Sequence, residues 1–175
     1  MNAPRDDDNS RVAAIKRKLA DSPAQIAEGV SNAVRKAPPE RLEQLMRSPA
    51  RRVVLEAIFW QMPRHVDAKR AKGMNSSILW KITGRPDGEA DVYTLKFTDG
   101  HCRVVRGPNG SEPAKLTITV DGAEFLRLAT GNSDPMKAYF RGRVTLAGDV
   151  MLAAKASSLF RMPGAPRTQP DVPGA

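Results

Sequence analysis

Cysteine occurs once in this chain, at Cys102, and histidine twice, at His65 and His101. A single thiol closes no internal disulfide, which fits a reducing compartment such as the cytoplasm. One thiol and two separated histidines also fall short of a four-ligand zinc set. His101 and Cys102 are adjacent in a strand pattern, so their side chains leave on opposite faces and form no nucleophile–base pair. Aromatic residues make up only 5% of the chain. There is no zinc-finger spacing, and no strand interleaves Lys/Arg, Gly and aromatics as an RNA-binding sheet does, so nucleic acid is not an expected partner. No apolar run reaches the roughly 18 residues of a membrane-spanning helix. "MNAPRDDDNS" has three acids and no apolar stretch, so it does not read as a secretory leader. "GPNGSEP" (107–113) has glycines but lacks the Lys-Ser/Thr of a phosphate loop and reads as a strand connection. Asp6, Asp7 and Asp8 read as a solvated acidic run. With no acid–base pair, metal set or cofactor motif, no catalytic residue is assigned and no cofactor is expected.

Basic charge is plentiful. The net charge is +9, and residues 1–73 hold 15 Lys/Arg against 9 Asp/Glu, so most of the excess lies in the first segment. Such an excess either keeps helix surfaces solvated or favours an anionic membrane or acidic partner. Apolar residues at 41% and charged residues at 27% are enough for one globular core.

The first third reads as short helices with repeated start signals. Val12, Ile15 and Leu19 share a face. Ser22, Pro23 and Gln25 have capping-box spacing with proline at the first helical position, and Ile26, Val30, Ala33 and Val34 continue as a stripe. Pro39 opens a helix carrying Leu42, Leu45 and Met46 on one face. Ser48-Pro49 opens the next, which holds "VVLEAIFW" (53–60) until Pro63 stops it. That helix is apolar on most of its circumference, so it is buried, or it meets a partner, a second copy or a lipid surface.

From Asn75 the period changes to two. Ile78, Trp80 and Ile82 alternate with polar or outward positions, and Tyr93, Leu95 and Phe97 do the same. Asp99-Gly100 is the two-residue turn of a hairpin, because both positions need positive φ. "HCRVVR" returns, and "LTITV" follows with Leu116, Ile118 and Val120 on one face. Four successive strands with one apolar face predict a meander.

Helices resume after the strands. Asp121 caps a helix with Glu124 three residues on, and Gly131 ends it. Its apolar face carries Phe125, Leu128 and Ala129, with Leu126 beside them. Asp134-Pro135 starts a short helix with Met136, Tyr139 and Phe140. Gly142 releases the chain into a strand with Val144 and Leu146 inward. Asp149 caps a last helix, striped by Leu152, Ala156, Leu159 and Phe160. Residues 161–175 contain four prolines and predict a flexible Pro/Gly-rich tail. One apolar layer between a sheet and helices does not need all of Met136, Met151, Leu152, Leu159 and Phe160 opposite Leu116, Ile118 and Phe125. The surplus is adaptable apolar surface, which leaves two readings open: a tunnel for an apolar ligand or a plainly filled core.

"LTITVDGAEFLRLATG" followed by "DPMKAYFRGRVTLAGDVMLAAKASSLF" resembles the sterol carrier protein 2 family, the sterol-binding domain. "GMNSSILWKITG" and "VYTLKFTDGHCRVV" are similar to the first strands of that domain. The resemblance spans about residues 50–160, is strongest over 114–160, and does not reach residues 1–48 or the tail. It implies an α+β fold with a five-stranded, mainly antiparallel sheet covered by helices, to which the helix signals before residue 49 add an N-terminal helical segment. The domain division is then 1–48 as helical extension, 49–160 as lipid-binding domain and 161–175 as tail. It further implies non-catalytic binding, transfer or presentation of a sterol, fatty-acyl or isoprenoid-type lipid in an apolar tunnel. By matching position its walls are Trp80, Ile82, Leu95, Leu116, Ile118, Phe125, Leu128, Met136, Phe140, Leu146, Met151, Leu152, Leu159 and Phe160. The ending "VPGA" is not a peroxisomal signal, so a bacterial cytoplasmic protein is the expectation. The alternative is an interaction scaffold with a filled core that docks a partner, or forms a homodimer, through its N-terminal helices. Peripheral contact with an anionic membrane through the basic helices is compatible with the lipid-binding reading.

Overall fold

The computed structural model describes residues 23–108 and 112–160. The expectations for Asp6–Asp8, for the Val12/Ile15/Leu19 face, for the Ser22 cap and for the 161–175 tail lie outside those residues. Among the described residues the chain runs α1 (Pro23–Lys36), α2 (Pro39–Arg47), α3 (Ala50–Gln61), a 3-10 turn (Met62–His65), α4 (Ala68–Ala71), β1 (Asn75–Thr83), β2 (Asp91–Thr98), β3 (His101–Arg106), β4 (Leu116–Asp121), α5 (Gly122–Ala129), α6 (Pro135–Phe140), β5 (Val144–Gly148) and α7 (Val150–Leu159). This is the α+β fold expected, with a five-stranded, mostly antiparallel sheet.

The expected four-strand meander needs correction. The strand order is β3-β2-β1-β4-β5. Only β1, β2 and β3 form a meander; β4 crosses to the far side of β1 and pairs with it in parallel, Ile78 opposite Leu116 and Trp80 opposite Ile118. Alternation of period two assigns side chains to faces but is identical in parallel and antiparallel pairs. The β2–β3 hairpin was legible because its turn is chemical: Asp99 and Gly100 have φ of 45° and 84°.

All five strands turn one face to the helices. Across it the pairings place Val104, Leu95, Ile78 and Leu116 in one row and Tyr93, Trp80, Ile118 and Leu146 in the next. The opposite face carries Lys81, Lys96, Thr117, Thr119 and Thr145, with Leu79, Val92 and Val105 half-buried among them and Thr94 buried. The covering helices contribute Leu55 and Phe59 from α3, Phe125, Leu126 and Leu128 from α5, and Leu152, Ala156 and Leu159 from α7. Val34 of α1 and Leu42 and Met46 of α2 belong to the same core. Ser31 Oγ also donates to the Thr130 carbonyl at 2.7 Å, and Asn132 Nδ2 donates to the Ser31 carbonyl at 2.9 Å. The helices that precede residue 49 are therefore packed on α5.

The caps of the last three helices form as read. Asp121 accepts from Ala123 N, Asp134 from Lys137 N and Asp149 from Leu152 N, each at 2.9 Å. Glu124 does not complete a capping box; its carboxylate takes Ser133 Oγ, Arg127 Nη1 and Arg143 Nη1 instead. Helix α7 is tied down at both ends. Asp149 N donates to the Lys115 carbonyl at 2.8 Å, and Asp67 N donates to the Leu159 carbonyl at 2.9 Å. Phe160 then bridges to Val66.

A buried ion pair locks α3 onto the sheet. Arg51 Nε meets Asp91 Oδ2 at 2.7 Å, Nη1 donates to the Met46 carbonyl, and Nη2 donates to the carbonyls of Ile82 and Thr83, each at 2.9 Å. Both side chains are almost wholly buried.

Candidate functional site

The wall residues expected from the sequence lie where the helix-facing side of the sheet meets α3, α5 and α7. The structure sorts the fourteen wall residues into three groups. Ile82, Leu95, Leu116, Ile118, Phe125, Leu128, Leu152 and Leu159 are brought together in the buried core. Trp80, Leu146 and Phe160 are partly buried and pack against it. Met136, Phe140 and Met151 point out, with Phe140 77% and Met151 80% exposed. The reason is local: α6 turns Ala138 inward, and α7 turns Leu152, Ala156 and Leu159 inward, which leaves residues 136, 140 and 151 on the outer sides of their helices.

The middle of the site is aromatic. Phe59 stacks on Tyr93 with ring centroids 4.0 Å apart, and on Phe125 at 5.0 Å. The Trp80 ring meets Phe59 and Phe125 edge-on at 6.3 and 5.5 Å. Phe59, which is not among the fourteen wall residues, stands at the centre of this stack. The signal was present in "VVLEAIFW", where Leu55 and Phe59 stand four apart on one helical face. Three buried polar atoms on this face have no hydrogen-bond partner among the described residues: Ser76 Oγ, Trp80 Nε1 and Tyr93 Oη. Burial pushes the Tyr93 phenol above its ordinary value.

Two titratable groups nearby are shifted from their ordinary values. Burial raises the Glu124 carboxyl, but the hydrogen bonds from Ser133 and Arg143 and the charges of Arg143 and Arg127 outweigh it and hold the group below its ordinary value. Cys102 lies on the helix-facing side of β3 and His101 on the other, as the alternation required. Burial pushes the Cys102 thiol up to about 12, which keeps it protonated and unreactive at neutral pH. Among the described residues no three His, Cys, Asp or Glu side chains converge on a metal position, and no helix is long and apolar enough to cross a membrane. A polar depression of about 720 Å³ lies on the surface between Pro39, Thr83, Asp121, Glu124, Arg127 and Arg143; none of the fourteen wall residues lines it.

Residues 55–161 match the SCP-2 sterol transfer family. The chain belongs to that family. The match begins inside α3 and takes in the whole sheet, α5, α6 and α7. Human sterol carrier protein 2 is 30% identical over 93 residues, which is 53% of this chain and 17% of that protein. Mouse peroxisomal multifunctional enzyme type 2 is 30% identical over 99 residues, 56% of this chain and 13% of that protein. The chain thus matches less than a fifth of the length of these two relatives. Among solved structures, sterol carrier protein 2 like 2 from Aedes aegypti superposes with a TM-score of 0.50 at 19% identity, covering 62% of this chain and 94% of that one. That likeness concerns the fold. Family membership supports lipid binding or transfer in general terms.

Proposed function

We propose that this chain binds a hydrophobic lipid without catalysis and transfers it or presents it to a partner. The observation that supports this most directly is the single continuous apolar layer under α3, α5 and α7, which is incompletely covered at the β5 edge, where Leu146 is only half-buried. A sterol, fatty-acyl or isoprenoid-type chain would lie against Trp80, Ile118, Phe125, Leu128, Leu146 and Leu152. Burial of such a chain stabilises by about 0.8 kcal/mol per methylene, so affinity follows chain length more than head-group identity, and ligand tolerance is broad. A bacterial cytoplasmic setting fits this reading.

A second reading rests on that same aromatic stack: a filled core serving an interaction scaffold. Mass spectrometry of organic-solvent extracts from the purified full chain separates the two, together with titration of a fluorescent fatty-acyl probe. A carrier yields a stoichiometric lipid or saturable probe binding. Recovery of neither, from protein shown to be folded, overturns the lipid-binding proposal. Deleting residues 1–48 is a poor discriminator, because Val34, Leu42 and Met46 would leave the core with them.

A further inference from the structure

Five large apolar side chains stand exposed within a short span: Met136, Tyr139 and Phe140 on α6, and Val150 and Met151 at the start of α7. They sit at the two ends of one edge strand. The strand between them in the chain, Val144–Gly148 of β5, is about 13 Å long. Leu146, between them on that strand, is itself incompletely covered. The orientation of both helices is set from inside, by Ala138 on one and by Leu152, Ala156 and Leu159 on the other, so the five residues face outward by construction. Basic side chains outnumber acidic ones around them. Lys137, Arg141, Arg143 and Lys155 are exposed, and no acid occurs between Asp134 and Asp149. Those two aspartates are both engaged as helix caps. Lys137, Arg141 and Lys155 have no ion-pair partner among the described residues, while Arg143 is paired with Glu124.

We infer that this α6–β5–α7 end is a docking surface for an anionic lipid bilayer. Exposed Phe, Met and Tyr side chains suit the boundary between head groups and acyl chains, and basic side chains beside them suit anionic head groups. A second copy of the chain is the less complementary occupant, because a two-fold contact would set each basic cluster against its own image. The inference places membrane contact at the C-terminal end of the fold, beside the β5 edge where the proposed site is least covered. Its use in transfer rests on the lipid-binding reading, but the docking itself does not.

The test is flotation of the full chain with vesicles of phosphatidylcholine containing phosphatidylserine, and with phosphatidylcholine alone. The wild type floats with the first, and the bound fraction falls as salt is raised. Phe140→Asp/Met151→Asp lowers partition at least about tenfold, because two charges would have to enter the boundary region. Lys137→Gln/Arg141→Gln keeps the apolar residues and lowers it about fivefold per charge removed. Both variants keep the wild-type melting temperature, and Lys137→Gln/Arg141→Gln keeps the binding of the fluorescent acyl probe. Flotation of both variants at the wild-type level overturns the inference. So does its loss only on changing Lys16, Arg17 and Lys18 to Gln, or a wild type that never floats but changes from dimer to monomer on Phe140→Asp/Met151→Asp. Flotation that persists in a protein unable to bind the acyl probe supports the docking surface and removes the carrier reading alone.

Discussion

Truncating Arg51 to alanine tests how the helical layer is held over the sheet. The guanidinium makes four contacts within 2.9 Å, to Asp91 and to three backbone carbonyls. With it removed, Asp91 keeps Arg85 Nη1 at 3.6 Å as its cation, and Met46, Ile82 and Thr83 each lose a donor. Breaking a buried pair from one side costs about 3–5 kcal/mol, because the remaining charge is left desolvated. For a chain of this size that is a fall of about 10 °C in melting temperature. Asp91→Asn should cost less, about 1–3 kcal/mol, because Arg51 retains its three carbonyls. Arg51→Met/Asp91→Leu removes both charges and returns to within about 2 kcal/mol of the wild type. Urea denaturation followed by circular dichroism measures all three. Additive single and double effects would refute the reasoning, since coupled neighbours must show an interaction energy. The clamp matters for the site because α3 carries Phe59 onto Tyr93 and Trp80.

Glu124 gives the stability a pH dependence of defined sign. Its folded pKa lies below the ordinary 4.5, so its contribution is present above that value and is lost as pH falls through the lower folded value. Melting temperatures taken from about pH 5 to about pH 3 should fall less steeply for Glu124→Gln than for the wild type; parallel curves would contradict the assignment. Cys102, with its thiol pushed up to about 12, should resist alkylation in native buffer and react promptly in urea. Equal rates in the two conditions would show that the thiol is not shielded.

Much of the architecture was readable because it rests on local chemistry. Asp121, Asp134 and Asp149 announced three helix starts through side chains that accept backbone N–H groups. Asp99-Gly100 announced a hairpin because few residue pairs accept two positive φ values. The alternation of Ile78, Trp80 and Ile82 marked the buried face of β1. The route of β4 was not readable, because pairing partners leave no trace in period-two alternation. The wall list was also only partly resolved. Eight of its members differ in sequence character from Met136, Phe140 and Met151 by nothing that a hydrophobicity pattern records.

Sequence alone determined which residues are apolar, where helices begin, where one tight turn lies and that the sheet has a single greasy face, since each follows from side-chain chemistry within a few neighbours. Tertiary structure decided that β4 lies beside β1, that Phe59 fills the centre between Tyr93 and Phe125, and that one end of the fold turns Phe140 and Met151 to solvent. Those outcomes depend on which face each short helix turns toward the sheet. That choice is made by Ala138, Leu152 and Leu159 competing for contact with residues distant in the chain.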